Sequence, residues 1–164
     1  MRRVPSARVA TLPFVALLVA LLLAACASGP VRRVSEPAAG IQQLTVAADG
    51  SWMVALRLDN FSSIPMRFEA VDLVLTVDGV DAGTLRGNAG ITIGPESADV
   101  AQLPFQPQAG ARLRIADALA ARRSVSYSLA GRIGAVPEDG GLRNFDIERD
   151  SALSPVPGLP GVLR

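Results

Sequence analysis

The chain has 164 residues, with 16 arginines and no lysine against 15 acidic residues, no histidine and a single cysteine, enough for one domain plus a targeting segment and too few for two ordinary domains. The missing histidine excludes Ser-His-Asp and Cys-His nucleophiles and His-ligated zinc or haem, and one cysteine excludes an internal disulfide or a cysteine-cluster metal site. A formal charge of +1 and 4% aromatic content do not supply the basic stripe with stacking rings that nucleic-acid surfaces use, so composition points away from an enzyme and from a nucleic-acid partner.

In chain order, Arg2, Arg3 and Arg8 come first, and no charge follows until Arg32. Between them, Leu12 to Leu23 is an apolar run closed by Ala24 and Ala25. It stays short of the ~20 residues that a spanning helix needs and has the layout of a secretory signal. Leu23-Ala24-Ala25-Cys26 resembles the lipobox of bacterial lipoprotein precursors. The resemblance implies a signal peptide at residues 1–25, a diacylglyceryl group on Cys26, cleavage just before it and acylation of the new amino terminus. This gives a role to a thiol that would otherwise invite oxidation in an exported protein. The alternative is an ordinary signal peptide with Cys26 there by chance. Ala27 and Ser28, in place of an aspartate after the cysteine, imply sorting to the outer membrane, facing the periplasm. Without residues 1–25 the chain carries 13 basic and 15 acidic residues, so membrane attachment would run through lipid, at about 0.8 kcal/mol per buried CH₂, and not through headgroup charge.

Residues 26–39 hold two prolines and a glycine with little apolar periodicity and read as the lipidated cysteine plus a flexible tether. Residues 40–150 then alternate with period two. Trp52, Val54, Leu56 and Leu58 form one strand face, and Val71, Leu73, Leu75 and Val77 a second. The second runs into Asp78-Gly79, a hairpin turn, with its partner strand at Val80 to Arg86. Val125, Tyr127, Leu129 and Ile133 mark a late strand. Shorter candidates are Ile41–Val46, Ile91–Ile93, Val100–Phe105 and Arg143–Ile147, separated by glycine-bearing turns, Gly87-Asn88 among them. Ala111 to Arg123 breaks the pattern and reads as a short helix. Seven or eight short strands and one helix predict an all-β fold, an antiparallel β-sandwich. Residues 151–164, rich in proline and glycine, are expected to form an extended tail.

Three stretches, Val54-Ala-Leu-Arg-Leu-Asp-Asn60 with Pro65 after it, Val71 to Gly79, and Val125 to Gly131, resemble the group 2 late-embryogenesis-abundant proteins, the water-stress and hypersensitive-response (WHy) domain. The likeness spans roughly residues 40–147. Members commonly have Asn-Pro-Asn at the first stretch, and here Phe61 and Ser62 follow Asn60, so that motif is only partly kept. The resemblance implies a sandwich of fibronectin type III-like shape, association with desiccation and related stress, and no catalysis. It marks Asn60, Pro65, Asp78, Gly79 and Gly131 as family-motif positions with structural roles.

Each candidate site also has a plainer account. Asn60 and Pro65 bracket a crossover, where an asparagine amide satisfies backbone groups and proline stiffens the next strand. Asp78 and Asp81 flank a glycine but lack the oxygen-rich loop of a calcium site, so a solvated hairpin is expected. Asp146, Glu148 and Asp150 share one face of an extended strand without a cleft to perturb them. Arg122 and Arg123 suit the negative end of a helix dipole; Trp52 and Tyr127 are in phase with the core; Gly83 and Gly87 read as hairpin glycines. No cofactor, metal or small-molecule substrate is expected. The partners expected are a membrane through the lipid and partly unfolded client proteins. The rival is an interaction module that docks a partner through a free sheet edge.

Overall fold

Alternating apolar residues can be buried only if two sheets face each other, and that is the architecture of the computed structural model, which describes residues 32–164. Eight strands run β1 Ala38–Val46, β2 Trp52–Asn60, β3 Met66–Val77, β4 Val80–Ile93, β5 Ser97–Phe105, β6 Val125–Pro137, β7 Arg143–Leu153 and β8 Val162–Leu163, with helix α1 Ala109–Ala121 between β5 and β6. One four-stranded sheet has the order β5-β2-β1-β8 and the other β4-β3-β6-β7. Every strand pair is antiparallel. The fold is therefore an all-β sandwich with one short helix. Its core lies between the sheets and includes Leu44, Trp52, Leu56, Phe68, Leu73, Leu75, Leu85 and Leu129. Trp52 pairs in register with Phe105, their ring centroids 5.8 Å apart and tilted by 50°, a favourable aromatic arrangement.

Strand β3 is longer than the period-two run from Val71 suggests. Met66 and Phe68 point inward, and so do Val71, Leu73, Leu75 and Val77. The phase slips between Phe68 and Val71, where the pairing register shifts against both β4 and β6. A bulge moves the side-chain phase by one residue, so the first half of the strand falls out of step with the second. The same device makes β4 one strand where two were expected: Gly87 and Asn88 lie within it, paired to Val71 and Ala70. Gly83 and Gly87 are thus not hairpin glycines. Gly83 sits beside a second register shift with φ of 108°, and a Cβ on Gly87 would meet Leu103 Cδ2 at 2.7 Å.

Helix α1 starts two residues earlier than expected and ends at Ala121, burying Ala111, Ile115 and Ala118. Arg122 closes it in the left-handed region at φ 53°, and Arg123 N–H returns to Ala118 O at 3.0 Å, the kind of C-terminal bond that often goes with glycine.

Both ends of the domain extend beyond the expected 40–150. Residues 32–37 are held against the β2–β3 connection: Arg33 N–H donates to Ser63 Oγ at 2.8 Å and Ser35 N–H to Ser62 Oγ at 3.0 Å, while Ser63 N–H donates to Arg33 O at 3.0 Å. Strand β1 begins at Ala38, inside the stretch read as tether. The C-terminal stretch is not a loose tail either. Strand β7 runs to Leu153, and the chain turns back so that Leu163 pairs with Leu44 and bridges to Pro155. Prolines are tolerated in the 155–160 turn because Pro155 makes only an isolated bridge and the ladder to β1 is formed by Val162 and Leu163.

Candidate functional site

Asn60 closes β2 with a fully buried side chain. Its Nδ2 donates to Ile64 O at 3.0 Å, Ile93 O at 3.1 Å and Gly94 O at 2.8 Å, and its Oδ1 accepts from Ser62 N–H at 2.9 Å. One amide thus supplies both donor and acceptor needs of two crossing connections, which no hydrocarbon side chain could do. Ser62, also fully buried, extends the network: its hydroxyl lies 3.0 Å from Met66 Sδ and 3.3 Å from Ser35 O. Pro65 immediately precedes β3, and its carbonyl accepts from Glu138 N–H at 3.0 Å. This end of the sandwich is therefore knitted from the 32–37 strap and the connections at 61–65, 94–96 and 138–142.

Asp78 and Gly79 sit at the opposite ends of β3 and β4, with φ of 46° and 74°, as a two-residue hairpin requires. Asp78 does more than turn the chain. Its carboxylate accepts from Arg123 at 3.0 Å and from the Ser126 N–H and hydroxyl at 2.9 and 3.1 Å, and Arg123 also reaches Asp117 at 2.7 Å. Arg123 thereby ties the end of α1 to the hairpin, a role beyond the dipole effect expected for it. Asp81 accepts from Gly83 N–H at 2.7 Å and Gln108 Nε2 at 3.0 Å.

Partial burial pushes the Asp78 carboxyl up. The hydrogen bonds from Arg123 and Ser126, with the Arg123 charge, outweigh it, and the group titrates below the ordinary 3.8. A folded value below the unfolded one stabilises above pH 3.8, and the contribution is lost as pH falls through the folded value. Asp78→Asn keeps an acceptor and tolerates the turn, so its denaturant midpoint should vary less between about pH 5 and about pH 2 than the wild type's. Equal slopes in the two proteins would show that this carboxylate does not contribute.

Gly131 lies mid-strand in β6 with φ of 152°, paired to Leu73 on one side and Ile147 on the other. The marked residues do not converge: Asn60 and Pro65 occupy one end, Asp78 and Gly79 the other, and Gly131 the middle of a sheet. Cys26 and residues 1–25 lie outside the described residues. Trp52 and Tyr127 are in the core as expected. The Tyr127 hydroxyl also accepts from Ile41 N–H at 3.0 Å beside a bulge in β1, linking the sheets. Asp146, Glu148 and Asp150 are exposed along β7. Among the described residues no group of three or more His, Cys, Asp or Glu is placed to hold a metal, and no helix is long and apolar enough to cross a membrane. The surface depressions are open, such as the one lined by Arg33, Arg57, Asn60 and Glu96.

No family model matches the chain, and no curated protein matches it. The solved structures similar to it include a protein of Archaeoglobus fulgidus, 15% identical over 76% of this chain and 98% of that one with a TM-score of 0.41. A protein of Arabidopsis thaliana solved in solution is 12% identical over 77% of this chain and 82% of that one, with a TM-score of 0.46. Likeness at this level carries neither a family nor an activity.

Proposed function

We propose that the chain is a lipid-anchored, non-enzymatic protein of the cell envelope, a WHy-domain lipoprotein held in the outer membrane through Cys26, that protects proteins or membranes during desiccation, freezing or related stress. The observation that carries the reading is the position of the family-motif residues. Asn60 holds two connections together, Asp78 and Gly79 form the hairpin, and Gly131 lets two central strands approach. Each maintains a framework, as the resemblance implies for a domain whose work is done by its folded surface. That surface carries exposed charges of both signs, including Arg67, Asp72, Arg132 and Glu148, and so stays hydrated. A hydrated, closed particle between partly unfolded clients keeps their apolar segments apart.

The rival reading, docking through a free edge, is less favoured. The 11-residue edge strand β7 exposes Asp146, Glu148, Arg149 and Asp150, and such charges discourage strand addition.

Two tests separate the parts of the proposal. The intact mass of the membrane-extracted protein should show residues 1–25 removed and acyl chains added at Cys26, and a membrane-bound protein with the unmodified mass would contradict the anchor. Freeze–thaw cycles of a labile enzyme should leave more activity when the protein is added below one equivalent. Recovery no better than with albumin at equal mass would contradict protection.

A further inference from the structure

The way residues 32–37 are held fixes which end of the sandwich a lipid anchor would bring to the bilayer. On the anchored-lipoprotein reading, which this inference rests on, the chain is tied to the membrane at Cys26, six residues before Arg32. Six residues span at most roughly 20 Å. Strand β3, with 12 residues, runs roughly 40 Å at strand rise. With the strap bonded to Ser62 and Ser63, the tether holds the end carrying the 61–65, 94–96 and 138–142 connections within its own span of the membrane, and it places no such limit on the turn at Asp78-Gly79.

That end has the surface for such contact. Phe61 is 51% and Leu142 60% exposed, two large apolar side chains in separate connections, the first just after β2 and the second just before β7. Three of the neighbouring acidic groups come with arginines, Glu96 with Arg33 at 3.8 Å, Asp59 with Arg57 at 2.8 Å and Asp139 with Arg32, which lessens their repulsion from anionic headgroups; Glu36 and Glu138, also exposed at this end, are outside these pairs. We propose that this end of the sandwich rests on the membrane surface, with Phe61 and Leu142 inserted at the level of the lipid headgroups and the helix end turned away. The occupant is the bilayer that holds the anchor.

The test uses the full lipidated protein in vesicles of phosphatidylethanolamine and phosphatidylglycerol with brominated acyl chains, which quench tryptophan on contact. Phe61→Trp places a reporter at the strapped end and Leu159→Trp one near α1, both at exposed positions; the buried Trp52 is the common background. The Phe61→Trp emission should shift to the blue and be quenched several-fold more than that of Leu159→Trp. Equal quenching at the two positions would overturn the proposed orientation. So would a Phe61→Trp signal shielded from aqueous iodide but untouched by brominated lipid, which would assign the surface to a second copy of the chain. Flotation and the intact mass of the same sample report the anchor separately. A protein that lacks the acyl mass and fails to float removes the anchor and this inference together, whereas one that floats without selective quenching removes the inference alone.

Discussion

Gly131→Ala is expected to lower the thermal midpoint by roughly 15 °C. The reason is a backbone contact that cannot be relieved by turning a side chain. A Cβ at this position would lie 2.2 Å from Asp72 O and 3.0 Å from Leu73 Cα, atoms of the neighbouring strand β3. The φ of 152° also belongs to a region that residues with side chains rarely enter. To accept the methyl group, β6 must move away from β3, and both are interior strands of their sheet. Strain of this kind belongs to the rare class of substitutions that cost about 4 kcal/mol, and a domain near this size loses about 4 °C for each kcal/mol. Gly134→Ala, three residues along the same strand, is the matched control. Its Cβ would meet Leu142 Cδ1 at 3.3 Å, the end of an exposed side chain that can rotate away, so its midpoint should stay close to wild type. Circular dichroism melts of the two variants check the pair, and similar midpoints for both would contradict the steric account.

Asn60→Ala is expected to cost about 3 kcal/mol, since each buried polar group left without a partner costs about 1–3 kcal/mol. The substitution removes a partner from Ile64 O, Ile93 O, Gly94 O and Ser62 N–H together; Gly94 O keeps the Ser97 hydroxyl at 2.8 Å, and water admitted to the gap offsets part of the loss. Asn60→Asp separates the two halves of the amide. It retains an acceptor for Ser62 but turns a donor into a carboxylate facing three carbonyl oxygens, which favours the protonated acid in the folded state. The folded value is then raised above the unfolded one, so the variant should be relatively more stable at about pH 4 than at about pH 7. Urea midpoints of both variants at the two pH values check this. An Asn60→Asp protein as stable as wild type at neutral pH would contradict the contacts described.

The sandwich was legible because its longest inward faces alternate without interruption: Trp52 to Leu58 in β2, Val71 to Val77 in β3 and Val125 to Leu129 in β6. What was not legible had local physical causes. The bulge in β3 reverses the inward phase after Phe68, hiding five residues of strand from a period-two reading. The strap at 32–37 is held by serine hydroxyls 27 and 30 residues away, and such bonds leave no periodic mark in a sequence. Strand β8 has two residues, too few to show alternation, and it follows a proline-rich turn. Asn60 could be placed at a bend, but its burial depends on Ile93 and Gly94, which reach it only through the pairing of β4 with β3. Arg123 could be read as following a helix; its pairing with Asp78, 45 residues earlier, could not.

Protection of a dried enzyme tests the central claim most directly. Residues 27–164 would be dried with a desiccation-labile enzyme at several molar ratios, beside an unrelated β-sandwich of equal mass, and activity measured after rehydration. Recovery is expected at sub-stoichiometric ratios where the control sandwich gives none. Equal recovery with the two proteins would contradict a protective function and leave partner docking as the leading account of this domain.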